Sequence, residues 1–590
     1  MPLKEEVLGA FLGDGSFPIE WASENEKLLF WVFDDLHCPK PLSPMYEDIG
    51  GWWLSCDHMF RRFGTPFATD WIYKKINGYL YTTAIPAEAG LHVATQEYNY
   101  ETQAIVPEDA DYAAKIGAYL GAVLPVYGTN FTYWWRTRFV PEMQRNFDYI
   151  ESMLDQKDQL SLAEVAVLLE DAIDMHDRHW KIHWMLNFAQ LSATLNLQAV
   201  MKKTHGEVNQ VLLGRLQNSA SDRNWDKIEA LWEMKEEVKA DPVLSAAFDH
   251  AAATDIVPAL QATERGRRFI DERVVPYQKE FGWHAVWSHE FIYPSFREDM
   301  VPVVQLVRDQ YASDYDYPTK VAALKADIDA AAVEILEGLS GEALEEMRAA
   351  NEINLKMAPL TPDHHFYIDQ GANAHVRLVL IALGEKLVAM GVLDQPDDVI
   401  YFRYNALREF IGAPDATTGR AIVAAARAKR AAADGIRPKD WVGTATATQL
   451  AFPYLNLWGF PDKFDRPREL KDGKLAGIAG SPGVVEGVAR VVTSTDEFDL
   501  VRQGEILACE MTNPAWQVLY GKIAAVVTNA GDVVAHPAVL AREYGIPAVV
   551  GTSIGTYVIH TGQRIRVDGN AGVVEILSTE TVRPTIGIGS

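Results

Sequence analysis

The sequence predicts a multidomain protein in which a large, mainly α-helical domain precedes a small swivelling α/β domain. At 590 residues the chain is too long for a single hydrophobic core. Apolar residues recur at helical spacing through residues 107–435, whereas short β-branched runs separated by glycines follow residue 475. We therefore place the helical domain at 1–440 and the α/β domain at 475–590. The charged, proline-containing stretch 441–474 has no period and is predicted to be a linker.

Composition argues against several classes of protein. Acidic residues number 81 against 54 basic ones, and the net charge of −27 opposes binding to nucleic acid. The N-terminus does not read as a signal peptide, and no stretch of about 18 uncharged apolar residues occurs. We expect a cytoplasmic protein with no membrane partner. Three widely spaced cysteines favour neither a disulfide framework nor a thiolate metal site.

The first 90 residues are rich in proline, glycine and aromatic residues, which predicts irregular structure with short helices. Many of the 16 tryptophans lie among polar residues within the first 300 positions. Core filling explains most of them. Tryptophan and tyrosine also provide flat walls with one polar tip, which suits a pocket for a planar organic molecule.

The segment from Val526 to Thr552 has the layout strand, glycine turn, histidine, helix, glycine, strand. Pro537 suits the first helical position, which makes His536 the N-cap beside backbone N–H groups without partners. A phosphate on that imidazole would meet those donors and the positive end of the helix dipole. The same local pattern also fits a histidine that only caps a helix.

Three segments of the α/β block carry a family resemblance, namely GSPGVVEGVARVV (480–492), ILACEMTNPAWQVLY (506–520) and AHPAVLAREYGIPAVVG (535–551). The block resembles the mobile histidine domain of phosphoenolpyruvate synthase, pyruvate phosphate dikinase and rifampin phosphotransferase. The resemblance implies a swivelling domain in which His536 carries a phosphoryl group between two active sites. That family usually has a second glycine at the position of Asp532, and a serine, threonine or cysteine at the position of Ala535.

A helix is predicted to begin at Thr361 and Pro362 and to end at Gly391. Polar residues four positions apart form one ridge on it. The later part of the helix is strongly apolar, so the ridge is predicted to line a cavity, although a solvated face has the same pattern. The ridge residues are His365, Asp369, Asn373 and Arg377.

The motifs DHHFYIDQ (363–370) and DDVIYFRYNALREFIG (397–412) carry a second resemblance, with echoes in FDDLHCPKPLSPMY (33–46) and FIYPSFRED (291–299). They resemble the acceptor region of rifampin phosphotransferase and, more closely, the large subunit of phenylphosphate synthase. That resemblance implies one subunit of an ATP-dependent dikinase-type phosphotransferase. Such an enzyme phosphorylates a phenolic hydroxyl through a phosphohistidine and releases AMP and phosphate.

Chemistry on a phenol needs a base, because a phenol with a pKa near 10 is a poor nucleophile while protonated. The candidates are His364 or His365, oriented by Asp363 or Asp369. The transferring phosphoryl group needs positive charge, for which Arg377 is the first candidate and Arg297 the second. Tyr367 and Asn373 are assigned to the acceptor-binding wall.

A further set of histidines, His176, His179 and His183, falls within one sector of a predicted helix, together with Trp180. We assign these four residues to substrate binding, as a polar and aromatic pocket wall. A zinc site and simple burial are the alternatives. No cysteine or carboxylate shares the sector, so no metal is assigned.

In single-chain relatives an ATP-grasp domain phosphorylates the histidine. Residues 1–90 contain no glycine-rich phosphate loop with a following lysine. We therefore expect a separate ATP-grasp partner subunit that binds ATP with Mg²⁺. The alternatives are another acceptor, either a drug-like macrocycle or pyruvate, and a non-catalytic phosphocarrier or regulatory subunit.

Overall fold

The computed structural model describes residues 6–35, 37–65, 68–86, 111–250, 253–285, 287–450, 470–493, 495–512, 516–531 and 536–577. The chain forms two compact units, and each is made of separate stretches of sequence. Unit 1 comprises 1–196, 288–293 and 364–453, and unit 2 comprises 197–287, 294–363 and 454–590. Within the described ranges, no helix is both long enough and apolar enough to cross a membrane. These units cut across the predicted division at 441–474.

Unit 1 contains a five-stranded antiparallel sheet with the order β1-β5-β2-β4-β3. The strands are β1 (Val7–Phe11), β2 (Phe30–Phe33), β3 (Ala68–Ile76), β4 (Tyr79–Pro86) and β5 (Trp441–Thr446). An apolar cluster that includes Trp31, Phe33, Tyr81 and Val442 covers one side of this sheet.

Two predictions about this region are wrong. Residues 1–90 supply four of the five strands, and the first residues of the predicted linker are β5, which pairs with β1 and β2. The reason is burial, because all four residues of β2 and the last five of β5 are buried and show no alternation of apolar and polar residues. Residues 451–469 of the predicted linker lie outside the described residues.

The other elements of unit 1 that lie in the described ranges are helical, as predicted. Its helices are α1 (Asp57–Phe63), α2 (Tyr112–Trp134), α3 (Val140–Leu154), the first part of α4 (Leu162–His205), α15 (Asn373–Ala389), α16 (Tyr404–Gly412), α17 (Ala416–Asp434) and α18 (Ala447–Leu450). A 3-10 helix at Pro396–Tyr401 packs against α15.

The predicted helix that begins near Thr361 consists of three pieces. It starts as α14 (Leu360–His364), widens into a π-helical segment at His365–Ala372 and continues as α15. π-Helical turns are rare and occur frequently at functional sites. The wide segment carries the DHHFYIDQ motif, so the polar residues predicted on one straight ridge sit on a changing helical pitch.

Unit 2 combines a helical region with the α/β domain. Its helices are α5 (Gln210–Leu216), α6 (Arg223–Ala240), α7 (Pro242–Phe248), α8 (Ala253–Gln261), α9 (Glu264–Phe269), α10 (Val275–Phe281), α11 (Val301–Tyr311), α12 (Tyr317–Glu334) and α13 (Gly341–Met357). Asp222 caps α6 by accepting from the backbone N–H groups of Asn224 and Trp225.

The α/β domain is built on an eight-stranded mixed sheet with the order β6-β13-β12-β8-β9-β10-β11-β7. The strands are β6 (Lys474–Ala476), β7 (Ile478–Ser481), β8 (Val484–Val492), β9 (Ile506–Cys509), β10 (Ala525–Thr528), β11 (Ala548–Val550), β12 (Arg564–Asp568) and β13 (Val573–Ile576). Three short helices connect them, α19 (Gln517–Tyr520), α20 (His536–Tyr544) and α21 (Gly555–Val558). The predicted α/β fold is confirmed.

This domain shares an apolar cluster with the helical part of unit 2. Trp225 of α6 and Tyr315 lie in one buried cluster with Tyr520 and Tyr544 of the α/β domain. Arg542 of α20 also donates to the side-chain carbonyl of Asn218, with an N–O distance of 2.8 Å. The α/β domain is therefore docked on the helical region of unit 2 in this structure.

Candidate functional site

Unit 1 brings together a cluster of histidines from two helical segments. α4 supplies His183, and the α14–π-helix junction supplies His364 and His365. The ring centroids of His183 and His364 are 4.9 Å apart, and those of His364 and His365 are 4.1 Å apart. Helical spacing alone finds the two sets separately, because periodicity does not report which helices pack together.

His365 and Asp369 form a hydrogen-bonded pair on one turn of the π-helical segment. The His365 side chain is 47% exposed, whereas that of Asp369 is 8% exposed. Burial favours the neutral form of Asp369, but the neighbouring His365 outweighs it and holds the pKa of this carboxyl well below its usual range. An exposed imidazole held by a buried carboxylate is an arrangement suited to general base catalysis.

Two further histidines come from loops that the sequence analysis did not select. His37 Nδ1 lies 2.9 Å from the buried carboxylate of Asp34, and His289 Nδ1 lies 3.3 Å from the hydroxyl of Tyr46. The rings of His37 and His289 are 5.4 Å apart. Three of these residues, Asp34, His37 and Tyr46, lie in the motif FDDLHCPKPLSPMY. That motif was the feature of the sequence that could have identified them.

The pKa values of the two loop histidines are shifted in opposite directions. Burial opposes protonation of His37, but the Asp34 carboxylate outweighs it and raises the pKa of His37. Burial lowers the pKa of His289 to about 4, so this ring is neutral at pH 7. Of these two rings, His37 is the one whose surroundings favour the cation.

Tryptophan side chains pack beside these histidines. Trp180 lies 4.8 Å from the ring of His183 and 6.0 Å from that of His289. Trp52 lies 5.5 Å from the ring of His37 and packs on Trp184. These flat apolar faces beside imidazoles suit an aromatic acceptor.

The other two histidines of the α4 sector have structural partners. His176 Nε2 lies 3.1 Å from Asn373 Oδ1, and His179 Nε2 lies 3.2 Å from the side-chain amide of Asn146. Burial lowers the pKa of His176 to about 4 and also lowers that of His179. Within the described ranges, the three α4 histidines do not form a metal-binding group together. The group that could hold a metal is His183, His364 and Asp369, with one ligand atom from each within 4.8 Å of the others.

Arg377, predicted to meet the phosphoryl group, is buried and already paired. Its guanidinium donates to Asp397 Oδ1 at 2.8 Å and to the backbone carbonyl of Phe291. It therefore ties α15 to the 3-10 helix at Pro396–Tyr401 and to the loop that carries His289.

Three further predicted residues have contacts of their own. Asp363 belongs to unit 2 and accepts from the backbone N–H of Arg223 at 3.0 Å. Tyr367 packs on Trp135, with ring centroids 6.3 Å apart. Arg297 also belongs to unit 2, where it donates to the carbonyl of Lys279.

The predicted phosphohistidine position is at the start of a helix, as expected. α20 begins at His536, one residue earlier than the predicted start at Pro537. It ends at Gly545, whose φ is +65°, where Ile546 N–H donates to Ala541 at 2.9 Å. Asp532 and Ala535 lie outside the described residues.

Two family models match the chain, one within the α/β domain and one mostly in the helical part of unit 2. Residues 501–572 match the mobile domain of PEP-utilising enzymes, and residues 182–356 match the rifampicin phosphotransferase fourth domain. The resemblances inferred from the motifs 480–492, 506–520 and 535–551 are thereby confirmed at the level of the mobile domain.

Curated relatives are similar over different shares of the chain. "Uncharacterized phosphotransferase YvkC" of Bacillus subtilis is 27% identical over 402 residues, or 67% of this chain and 47% of that protein. Chondramide synthase cmdD of Chondromyces crocatus is 26% identical over 594 residues, or 95% of this chain and 14% of that protein. Rifampicin phosphotransferase of a Streptomyces species is 37% identical over 202 residues, or 34% of this chain and 22% of that protein. The chain spans about half the length of the first relative and less than a quarter of the other two.

Proposed function

We propose that this chain, whose residues 501–572 are a mobile domain of the PEP-utilising type, is the acceptor and phosphohistidine subunit of a phosphotransferase that acts on phenols. The observation that carries the proposal is the His365–Asp369 pair, an exposed imidazole held by a buried carboxylate next to His364 and His183. Trp180 packs on His183 in the same cluster. The similarity to proteins named phosphotransferases supports the reaction class. The phenolic acceptor is supported by the site and by the resemblance to phenylphosphate synthase.

In the first half-reaction, a separate ATP-grasp subunit transfers a phosphoryl group from ATP to His536 and releases AMP and phosphate. Mg²⁺ accompanies the nucleotide on that partner. The metal-capable group of this chain contains two imidazoles, whereas Mg²⁺ prefers oxygen ligands and retained water. This group of described residues therefore does not fit the Mg²⁺ of ATP.

In the second half-reaction, the phenol binds between the tryptophans with its hydroxyl against His365. His365 accepts the phenolic proton as the phenolic oxygen forms a bond to phosphorus, and the bond between phosphorus and His536 breaks. The imidazole of His536 leaves with its electron pair and returns to the free state. Asp369 orients His365 and stabilises the imidazolium formed by the proton transfer.

Positive charge for the transferring phosphoryl group comes from His37 in this proposal. Its pKa is raised by Asp34, and it is part of the loop cluster next to His289. Arg377 is a weaker candidate than the sequence indicated, because Asp397 and Phe291 occupy its guanidinium. A cationic donor near the phosphoryl oxygens stabilises the charge that spreads over them during transfer.

The proposal is tested by running the second half-reaction backwards, which needs neither ATP nor the partner subunit. The full chain is incubated with phenyl phosphate labelled with ³²P, and His536→Ala serves as the control. We expect acid-labile, base-stable label on the wild-type chain, located at His536 by mass spectrometry, and none on the variant. Label from phosphoenolpyruvate but not from aryl phosphates would replace the phenol with pyruvate as the acceptor. Label from neither, with a correctly folded chain, would contradict a phenolic acceptor.

A further inference from the structure

We propose that His183, His364 and Asp369 form a binding site for a divalent first-row transition-metal ion such as zinc. The three side chains come from α4, from the end of α14 and from the π-helical segment, and one ligand atom of each lies within 4.8 Å of the others. Two imidazoles and one carboxylate are a donor set that zinc and iron bind in proteins. The sequence pattern had suggested a different set, confined to α4.

Two of these three side chains have unsatisfied atoms. Among the described residues, neither His183 Nδ1 nor Asp369 Oδ1 has a hydrogen-bond partner, and both atoms are buried. Buried polar atoms of this kind are uncommon, because leaving one without a partner costs about 1–3 kcal/mol. Asp369 is 5% exposed, so water does not readily solvate its free oxygen. A bound cation would satisfy both atoms at once.

The second atom of each of these ligands is held by a neighbour. The other oxygen of Asp369 contacts His365 Nδ1, which fixes the carboxylate. His183 Nε2 lies 3.0 Å from the side-chain amide nitrogen of Asn187. The two ends of an amide are hard to distinguish, and turning this one over lets its oxygen accept from Nε2–H, which leaves the Nδ1 lone pair for a metal. Such outer partners orient the ligands of most metal sites.

To bind a metal ion, the three ligand atoms need to move only slightly closer together. With metal–ligand bonds of about 2.1 Å, ligand atoms in a tetrahedral site lie about 3.4 Å apart, so a separation of 4.8 Å must shrink by about 1.4 Å at most. Side-chain rotation on three separate segments supplies a movement of that size. Three protein ligands leave a fourth position open, which is the pattern of catalytic and not structural zinc sites.

The role of the metal in phosphoryl transfer rests on the proposed function, whereas its binding does not. A phenolic oxygen bound at the open position would lose its proton more readily, because a metal ion stabilises the anion. His365, next to the site, would still be placed to accept that proton. The metal therefore adds to the His365–Asp369 pair and does not replace it.

The test measures metal binding itself. The metal-free full chain without an affinity tag is titrated with Zn²⁺ by calorimetry, in the wild type and in His183→Gln and Asp369→Asn. His205→Gln is the matched control, since His205 is a histidine on the same helix outside the group. We expect one tight site per chain, at least 100-fold weaker in either ligand variant and unchanged in the control. Equal affinity in all four proteins would overturn the proposal.

A second measurement does not depend on the folding of the variants. X-ray absorption of the zinc-loaded wild-type chain reports the ligands directly, and we expect two imidazole nitrogens at about 2.0–2.1 Å. An all-oxygen shell, sulfur ligation or no retained zinc would contradict the site. Because neither experiment uses phosphoryl transfer, a failure of the metal proposal is distinguishable from a failure of the proposed function.

Discussion

The side chains of His365 and Asp369, which follows it by four residues, are hydrogen-bonded to each other. The imidazole of His365 is exposed, whereas the carboxylate of Asp369 is buried. The pair gives a base that solvent can reach and a carboxylate that solvent cannot. Such a combination is expected of a catalytic pair and not of a purely structural one, which would not need an exposed imidazole.

Replacing His365 with alanine should impair only the acceptor half-reaction. We expect transfer from phosphorylated His536 to phenol to fall by about 10²-fold or more, because proton removal loses its base. The loss should be smaller with 4-nitrophenol, because this phenol is far more acidic than phenol itself and needs less help to lose its proton. Single-turnover transfer to the two phenols measures the difference, with the exposed His250→Ala as a control. An equal loss with both phenols would remove His365 as the base.

Arg377→Ala should destabilise unit 1 instead of acting selectively on transfer. It leaves the buried carbonyl of Phe291 without its donor and Asp397 without its cation, and we expect a loss of about 3 kcal/mol in the free energy of unfolding. Urea unfolding measures it. The exposed Arg408→Ala, whose ion pair with Glu170 is long, should change stability by less than about 0.5 kcal/mol. Unchanged stability with a selective loss of transfer would restore Arg377 as the phosphoryl-binding residue.

Gly384 is a test of how tightly α15 packs on the Pro396–Tyr401 helix. A Cβ at this position would lie 2.0 Å from the carbonyl oxygen of Pro396, so Gly384→Ala must push the two segments apart. We expect a loss of about 2 kcal/mol or more in unfolding experiments. Gly121→Ala is the matched control, because Gly121 lies inside α2 with no atom within 4 Å of a built Cβ. That change should be neutral or stabilising by up to about 1 kcal/mol. Equal effects of the two changes would mean that the contact with Pro396 is not tight.

Buried histidines should make unit 1 sensitive to acid. The pKa of His176 is lowered to about 4, so between an unfolded value of about 6.5 and pH 4 the unfolded chain binds one more proton at this residue. Stability therefore falls as the pH falls through this window, by up to about 1.4 kcal/mol per pH unit for each such proton. His176→Gln should reduce the slope of unfolding free energy against pH by that amount. Identical slopes for the wild type and the variant would show that His176 is not held neutral.

The sequence predicted the mobile domain well because its signals are local. Strands, glycine turns and the helix His536–Tyr544 follow each other along one stretch of chain, and each has a short-range signature. The sheet of unit 1 lacks such signatures. Phe30–Phe33 and the residues of β5 are buried on both sides and come from opposite ends of unit 1's sequence, so neither alternation nor proximity in the chain reveals their pairing.

The candidate site was only partly predictable for the same reason. Helical spacing selected His183 on one helix and, separately, His365 and Asp369 on another. It could not show that these side chains lie close together. It could not show that Arg377 pairs with Asp397 and Phe291, because a four-residue ridge does not report contacts with other segments. His37 and His289 lie in loops, where no periodicity marks a functional side chain.

The central claim is that His536 carries the phosphoryl group to a phenol bound in unit 1. The most direct measurement is isotope exchange between ¹⁴C-phenol and unlabelled phenyl phosphate, catalysed by the full chain without ATP or any partner. A covalent intermediate on His536 predicts exchange in the wild type, none in His536→Ala and about 10²-fold slower exchange in His365→Ala. Exchange that persists in His536→Ala, or its absence in a folded wild-type chain supplied with zinc, would contradict the account.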